Sequence, residues 1–227
     1  MSNRKKIGLL GGSFNPVHIG HLRAAEEIKE NFYLDKVIFI PASVNPLKVG
    51  ENYLNPDIRL EMLDIALKDN PYFELSDIEI ERESPSYTID TLKYFYNDFP
   101  NDDHYFIVGS ELFSNINTWK KYKELFLYSN FIVIHRPGSR SSDKESYFPL
   151  EIKNDFRYLN DGESYRDTEV FEHKSKSRIY FSSINGIEMS STMIRNLAGK
   201  NRSIKYLVPV ELEKYIVYNK IYTEEIE

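Results

Sequence analysis

No cysteine occurs anywhere in the 227 residues, which excludes disulfides, thiolate metal sites, iron–sulfur clusters and a cysteine nucleophile together. Long apolar runs are missing as well. The run that follows the basic start, Ile7 to Leu10, has four residues and falls far short of a signal-peptide core or a membrane span. A cytoplasmic protein that does not engage membranes is therefore expected. Nor is there a surplus of positive charge, since 29 Lys and Arg stand against 35 Asp and Glu for a formal charge of −6. Affinity for a phosphate backbone comes mainly from Lys and Arg, so a general nucleic-acid binder is not expected. Small anionic ligands held at local sites remain open. Tryptophan occurs once, at Trp119, and no internal repeat is visible.

A chain of this length folds with roughly 70% of its unfolded surface buried, so a sizeable core is available. Short apolar runs at Ile7–Leu10, Val37–Ile40, Tyr105–Val108 and Phe131–Ile134 are each followed by a Gly or Pro turn signal, and read as strands buried on both faces. Helical periodicity lies between and around them, near Gly20–Phe32, Asp57–Lys68, Thr88–Asn97 and Trp119–Tyr128. This alternation predicts an α/β fold, a doubly wound, Rossmann-like parallel sheet flanked by helices. Residues 1–227 read as a single domain, with a polar surface insertion at about 139–177 that holds one short helix near Pro149–Tyr158. A strand near Arg178–Phe181 and helices at Thr192–Leu197 and Val210–Asn219 form a small helical C-terminal portion.

The segment from Gly11 to Leu22, GGSFNPVHIGHL, follows the first strand and opens a helix. Glycines allow a tight turn and close approach to a ligand, and a helix start offers unpaired N–H groups with the positive end of the dipole. Two of the five histidines, His18 and His21, sit in one tetrapeptide there. An imidazole pair at this place suits the charge that develops in phosphoryl or nucleotidyl transfer. Exposed histidines at an ordinary helix start, or a metal site lacking its third ligand, are the other readings of the tetrapeptide. A second constellation, Met189 to Arg195, places Ser190, Ser191, Thr192 and Arg195 at another helix start. It is either simple capping or the second half of an anion clamp that fits a triphosphate. His104, His135 and His173 have no comparable context.

Gly11 to Leu22, the segment PSYTIDTL from Pro85, Gly109-Ser110-Glu111-Leu112 followed by Trp119, Arg136-Pro137-Gly138, and Ser190 to Arg195 stand in the order found in a known family. The chain resembles the bacterial nicotinate-mononucleotide adenylyltransferases over essentially its whole length apart from the insertion. The resemblance implies that ATP and nicotinate mononucleotide react to give nicotinate adenine dinucleotide and pyrophosphate, a step of NAD biosynthesis. It also implies that His18 and His21 hold ATP phosphates through the transition state, joined by Arg195, and that Ser190 and Thr192 bind the triphosphate. Gly11, Gly12, Ser13 and Phe14 would line the crossing point of the nucleotides, with Gly109 on the ATP side. Asn15, Lys48, Thr88, Glu111, Trp119 and Arg136 would face the mononucleotide, and Mg²⁺ would arrive on ATP, held by substrate and water. Trp119 would supply an aromatic plane for the pyridine ring; its other reading is a packed indole. Thr88 would meet the nicotinate carboxylate or, alternatively, cap its helix, and Lys48 would reach a phosphate or remain a solvated loop lysine.

Three positions depart from the family pattern: Asn15 where many members have Asp, Leu47 where His often precedes the lysine, and Glu111 where Asp is usual. His18-Ile19-Gly20-His21 with Ser175-Lys176-Ser177 also spells motifs of class I aminoacyl-tRNA synthetases. An acidic chain of this size has no room for the amino-acid and tRNA-binding regions such an enzyme needs. The same residues would also serve an enzyme preferring the amidated mononucleotide, a pantetheine-phosphate or cytidylyl relative, or a catalytically silent nucleotide-binding protein. Monomer and homo-oligomer are both open.

Overall fold

A computed structural model of the chain describes residues 4–44, 54–82, 85–135, 148–159 and 168–223. In chain order the elements are β1 (Lys6–Gly12), α1 (Ile19–Phe32), β2 (Lys36–Pro41), α2 (Pro56–Leu67), β3 (Phe73–Leu75), α3 (Ile78–Glu81), α4 (Thr88–Asp98), β4 (Asp103–Gly109) and α5 (Ser110–Phe113). Then follow β5 (Asn130–His135), α6 (Leu150–Lys153), β6 (Phe156–Leu159), β7 (Thr168–His173), β8 (Arg178–Ser183), α7 (Ser191–Gly199) and α8 (Val210–Tyr218). They build one sheet of order β3-β2-β1-β4-β5-β8-β7-β6. Pairing is parallel from β3 through β8. The β8–β7 and β7–β6 pairings are antiparallel.

Strand order reverses between β1 and β4, both of which leave the sheet at glycine, Gly12 and Gly109. In doubly wound sheets the crevice above such a switch point is where ligands bind. Alternate residues of each strand feed two hydrophobic layers. On one face Val37, Phe39 and Ile132 meet Ile28 of α1, Met62 of α2, Ile194 of α7 and Leu212 of α8. On the other, Ile38, Ile40, Phe131 and Val133 meet Leu92 and Phe95 of α4 and Phe126. The doubly wound expectation therefore holds, and the C-terminal helices complete one layer rather than standing apart.

Four details differ from the sequence reading. The stretch Trp119–Tyr128 forms a 3₁₀ segment at Tyr122–Leu127 instead of a regular helix, and the short strand β3 carries too few residues to show a period. On α2 the sequence shows Ile58, Met62, Ile65 and Ala66 recurring at helical spacing, whereas the stripe buried is Arg59, Met62, Leu63 and Leu67, with Ile58, Ile65 and Ala66 at its margins. Within the segment expected to be a surface insertion, α6 supplies the short helix. Its strands β6 and β7 extend the sheet, their alternation hidden by Glu169, Glu172 and Arg157, which project from otherwise apolar strands.

Phe131 on β5 is fully buried and its ring meets Phe106, Phe113 and Phe126 at 5.6, 6.4 and 5.0 Å. Phe131→Ala should cost about 3–5 kcal/mol through lost transfer energy and an unfilled cavity. Urea unfolding checks this, and a loss under about 1 kcal/mol would contradict the placement.

Candidate active site

Beyond Gly12 the chain turns over Ser13 to Val17 into α1. Phe14 takes the left-handed conformation, φ 44°, which is uncommon for a bulky residue and must be held by its surroundings. Its ring lies over Gly12, where any Cβ would come within 3.0–3.2 Å of ring carbons, and meets His21 edge-on at 5.2 Å. Glycine at position 12 is thus required by the phenyl ring.

Four carbonyl oxygens of this turn are taken by protein donors. Gly12 O accepts the Ala42 amide at 2.9 Å, Ser13 O accepts Arg59 Nη1 at 2.8 Å, Asn15 O accepts Arg195 Nη1 at 2.8 Å, and Pro16 O accepts Ser191 Oγ at 2.8 Å. The Asn15 side chain is held too, its Oδ1 accepting the Tyr222 hydroxyl at 2.8 Å. Among the described residues, the amides of Phe14 and Asn15 meet no protein acceptor. The turn consequently presents N–H groups rather than oxygens, the arrangement that receives an anion.

His18 is the N-cap of α1 and forms a reciprocal box with His21: the His21 amide donates to His18 Nδ1, and the His18 amide to His21 Nδ1, each at 3.3 Å. The rings stack with centroids 3.7 Å apart. Burial lowers the His18 pKa to about 4, and burial together with the neighbouring His18 lowers that of His21 to about 3. Both rings are neutral near pH 7. Because each Nδ1 accepts an amide, the ring proton sits on Nε2, and each imidazole offers a donor at a helix start. Gly20 makes room for this pair, since a Cβ there would stand 3.1 Å from His18 Nδ1 and 3.2 Å from Ile187 O.

From the opposite side comes the start of α7. Ser190 is its N-cap, Oγ accepting the Met193 amide at 3.2 Å, and Arg195 Nη2 donates to Thr192 Oγ1 at 3.1 Å. Capping and convergence coexist, because the same arginine reaches Asn15 across 180 residues of sequence. His18, His21, Gly11 to Asn15, Ser190, Thr192 and Arg195 are thus brought into one neighbourhood.

Gly109 closes β4, and a Cβ there would meet nothing within 4 Å among the described residues. Glu111 lies just beyond, in the first turn of α5. Thr88 is the first residue of α4 behind the cap residue Tyr87, and no side chain caps that helix. Lys120 Nζ pairs with Asp90 at 3.0 Å and sits 4.2 Å above the Tyr87 ring, which fastens the Trp119 segment to the start of α4. Trp119 is half-buried, edge-on to Phe106 at 6.2 Å, and its Nε1–H has no protein acceptor. Lys48 and Arg136, with Leu47, lie outside the described residues.

Several supporting residues escape sequence reading. Arg59 is detectable in principle as a cation within the buried stripe of α2. Tyr222, which reaches the site from 207 residues away, and Glu27, which accepts the Asn185 amide at 2.8 Å beneath the approach to α7, give no local signal. His104, His135 and His173 are buried within strands. Among the described residues no three His, Cys, Asp or Glu side chains converge as metal ligands, and no helix is long and apolar enough to cross a membrane.

The model of the cytidylyltransferase-like family matches residues 9–197. Among curated proteins, one from Geotalea uraniireducens named "Probable nicotinate-nucleotide adenylyltransferase" is 40% identical over 219 residues, covering 96% of this chain and 99% of the relative. A protein of the same name from Geobacter sulfurreducens is 38% identical over 220 residues, covering 97% and 99%. The chain belongs to the nicotinate-nucleotide adenylyltransferase family. A solved Plasmodium falciparum nicotinic acid mononucleotide adenylyltransferase complexed with NaAD shares the fold, with a TM-score of 0.70 at 20% identity over 96% of this chain and 98% of that one.

Two outcomes follow from the geometry. In ¹⁵N NMR titrations neither His18 nor His21 should titrate above about pH 5, and both should show the Nε2–H tautomer. Because their folded pKa values lie below the unfolded value, stability should fall as pH drops from about 6.5 towards 4, where the unfolded chain takes up protons first. That slope should be shallower in a His18→Gln, His21→Gln double variant, as urea unfolding at each pH would show. Gly20→Ala should displace the His18 ring, whereas Gly109→Ala should leave the unliganded fold intact; equal thermal stability of the two variants would contradict this contrast.

Proposed function

We propose that this protein transfers the adenylyl group of ATP to nicotinate mononucleotide in the cytoplasm, forming nicotinate adenine dinucleotide for NAD biosynthesis. The observation that carries the proposal is the glycine-rich turn at the β1/β4 switch point, where four carbonyls are occupied by protein donors while the Phe14 and Asn15 amides and two neutral imidazoles remain as donors. A mononucleotide phosphate oxygen attacks the α-phosphorus of ATP, a new P–O bond forms, the bond from Pα to the bridging oxygen breaks, and pyrophosphate leaves. No protein nucleophile takes part, so positioning and charge stabilisation supply the rate.

On this reading Nε2–H of His18 and of His21 donate to ATP phosphate oxygens, and the bonds strengthen as charge grows on the leaving pyrophosphate. Arg195, Thr192 and Ser190 face the triphosphate from α7. Gly11, Gly12, Ser13 and Phe14 border the crossing point, with Gly109 leaving space for ATP. The Asn15 amide faces the mononucleotide, since its Oδ1 is committed to Tyr222. Trp119 offers its ring to the pyridine, Thr88 its hydroxyl and helix-start amide to the carboxylate, and Glu111 a carboxylate to a ribose. Lys48 and Arg136 complete the mononucleotide side. ATP enters as its Mg²⁺ complex, the ion held by phosphate oxygens and water.

Incubation with Mg-ATP and, separately, nicotinate mononucleotide or its amide should release pyrophosphate with dinucleotide, faster for the acid. No product with either acceptor would overturn the reading, and faster turnover of the amide would overturn the substrate. His21→Ala should lower kcat by about 10² or more with much less effect on ATP binding; a loss confined to ATP affinity would make it a binding residue only. Trp119→Ala should raise KM for the mononucleotide more than for ATP, and the reverse would invert the two substrate positions.

A further inference from the structure

The largest side chain among the fully buried residues is Arg59, only 1% exposed. A cation at this depth is costly unless its N–H groups are used, and a helix needing only apolar contact at that stripe would be served by Leu or Met. Arg59 Nε donates to Leu54 O at 3.2 Å, Nη1 to Ser13 O at 2.8 Å and Nη2 to Ser43 O at 3.0 Å. Ser13 belongs to the glycine-rich turn, while Ser43 and Leu54 stand at the two ends of the connection from β2 to α2.

The path continues from Ser43. Its amide donates to Ser86 Oγ at 2.8 Å, and the Ser86 amide donates to Val44 O at 2.9 Å. Ser86 is also hydrogen-bonded to the buried carboxyl of Glu79, which burial pushes up from the usual carboxylate range and which accepts Thr91 Oγ1 of α4 at 2.6 Å. Two residues beyond Ser86 lies Thr88. A continuous set of hydrogen bonds thus joins the turn assigned above to ATP with the start of α4 assigned to the mononucleotide, and Arg59 is the side chain in it that bonds both the turn and the β2–α2 connection.

We infer that Arg59 is a positioning residue that couples the two substrate sites, so that ordering of one loop by its ligand favours the bound arrangement of the other. The inference rests on the function proposed above. The rigid guanidinium fork matters because it reaches three carbonyls at fixed separations, which the single nitrogen of lysine cannot do.

The test compares wild type, Arg59→Lys and Ser86→Ala by calorimetric titration of a non-hydrolysable ATP analogue with Mg²⁺, with and without saturating nicotinate mononucleotide, alongside thermal unfolding and kcat per titrated active site. In wild type the mononucleotide should tighten the analogue about five-fold or more. In folded Arg59→Lys that factor should fall towards one and kcat about ten-fold or more, with the analogue's own affinity changing only a few-fold. Ser86→Ala cuts the same path without disturbing the buried cation, so it decides the matter if Arg59→Lys does not fold, and its factor should also fall. A wild-type factor of one, or an unchanged factor and kcat in folded Arg59→Lys, overturns the inference. An unchanged factor in Ser86→Ala also overturns it when that variant alone is folded. Absence of wild-type turnover removes the functional reading as well, so the two failures are distinguishable.

Discussion

An anion-binding turn works only if its oxygens are kept out of the way. Here four of those oxygens are taken by donors from three parts of the chain: the Ala42 amide after β2, Arg59 on α2, and Arg195 and Ser191 on α7. Each takes one carbonyl of the stretch from Gly12 to Pro16. Without them the turn would offer a mixture of acceptors and donors, and the left-handed Phe14 would have little to hold it there. The surrounding fold can be read as the means of delivering those four donors to one place.

The histidine pair depends on the same economy of polar groups. Two imidazoles that cap a helix through Nδ1 accept the His18 and His21 amides at that terminus, and in doing so fix the ring proton on Nε2. Burial lowers both pKa values, so the donors persist across physiological pH without an accompanying charge. Positive charge is supplied instead by the guanidinium of Arg195. Helix formation and tautomer selection are one event in this segment.

Much of this was legible in the sequence because it is local. Glycines before a helix, histidines at i and i+3, and a Ser-Ser-Thr start announce themselves within a few residues, and buried parallel strands show as continuous apolar runs. Arg59 was harder to read, since a cation in an amphipathic helix is normally assigned to its wet face, and its burial rests on three carbonyls from two loops. Tyr222 and Glu27 were invisible for the opposite reason: each acts through contacts with residues far away in sequence. The strands β6 and β7 were obscured by charges at a sheet margin, where side chains reach water and alternation loses its contrast.

The contacts that complete the glycine-rich turn span 175, 180 and 207 residues for Ser191, Arg195 and Tyr222. Contacts so distant in sequence form only after most of the loop-closure entropy has been overcome, and they belong to the late, cooperative part of folding. A nucleotide therefore finds no partial site on an incompletely folded chain. Its binding energy acts on the native state alone, raising the stability of finished molecules by mass action without trapping unfinished ones.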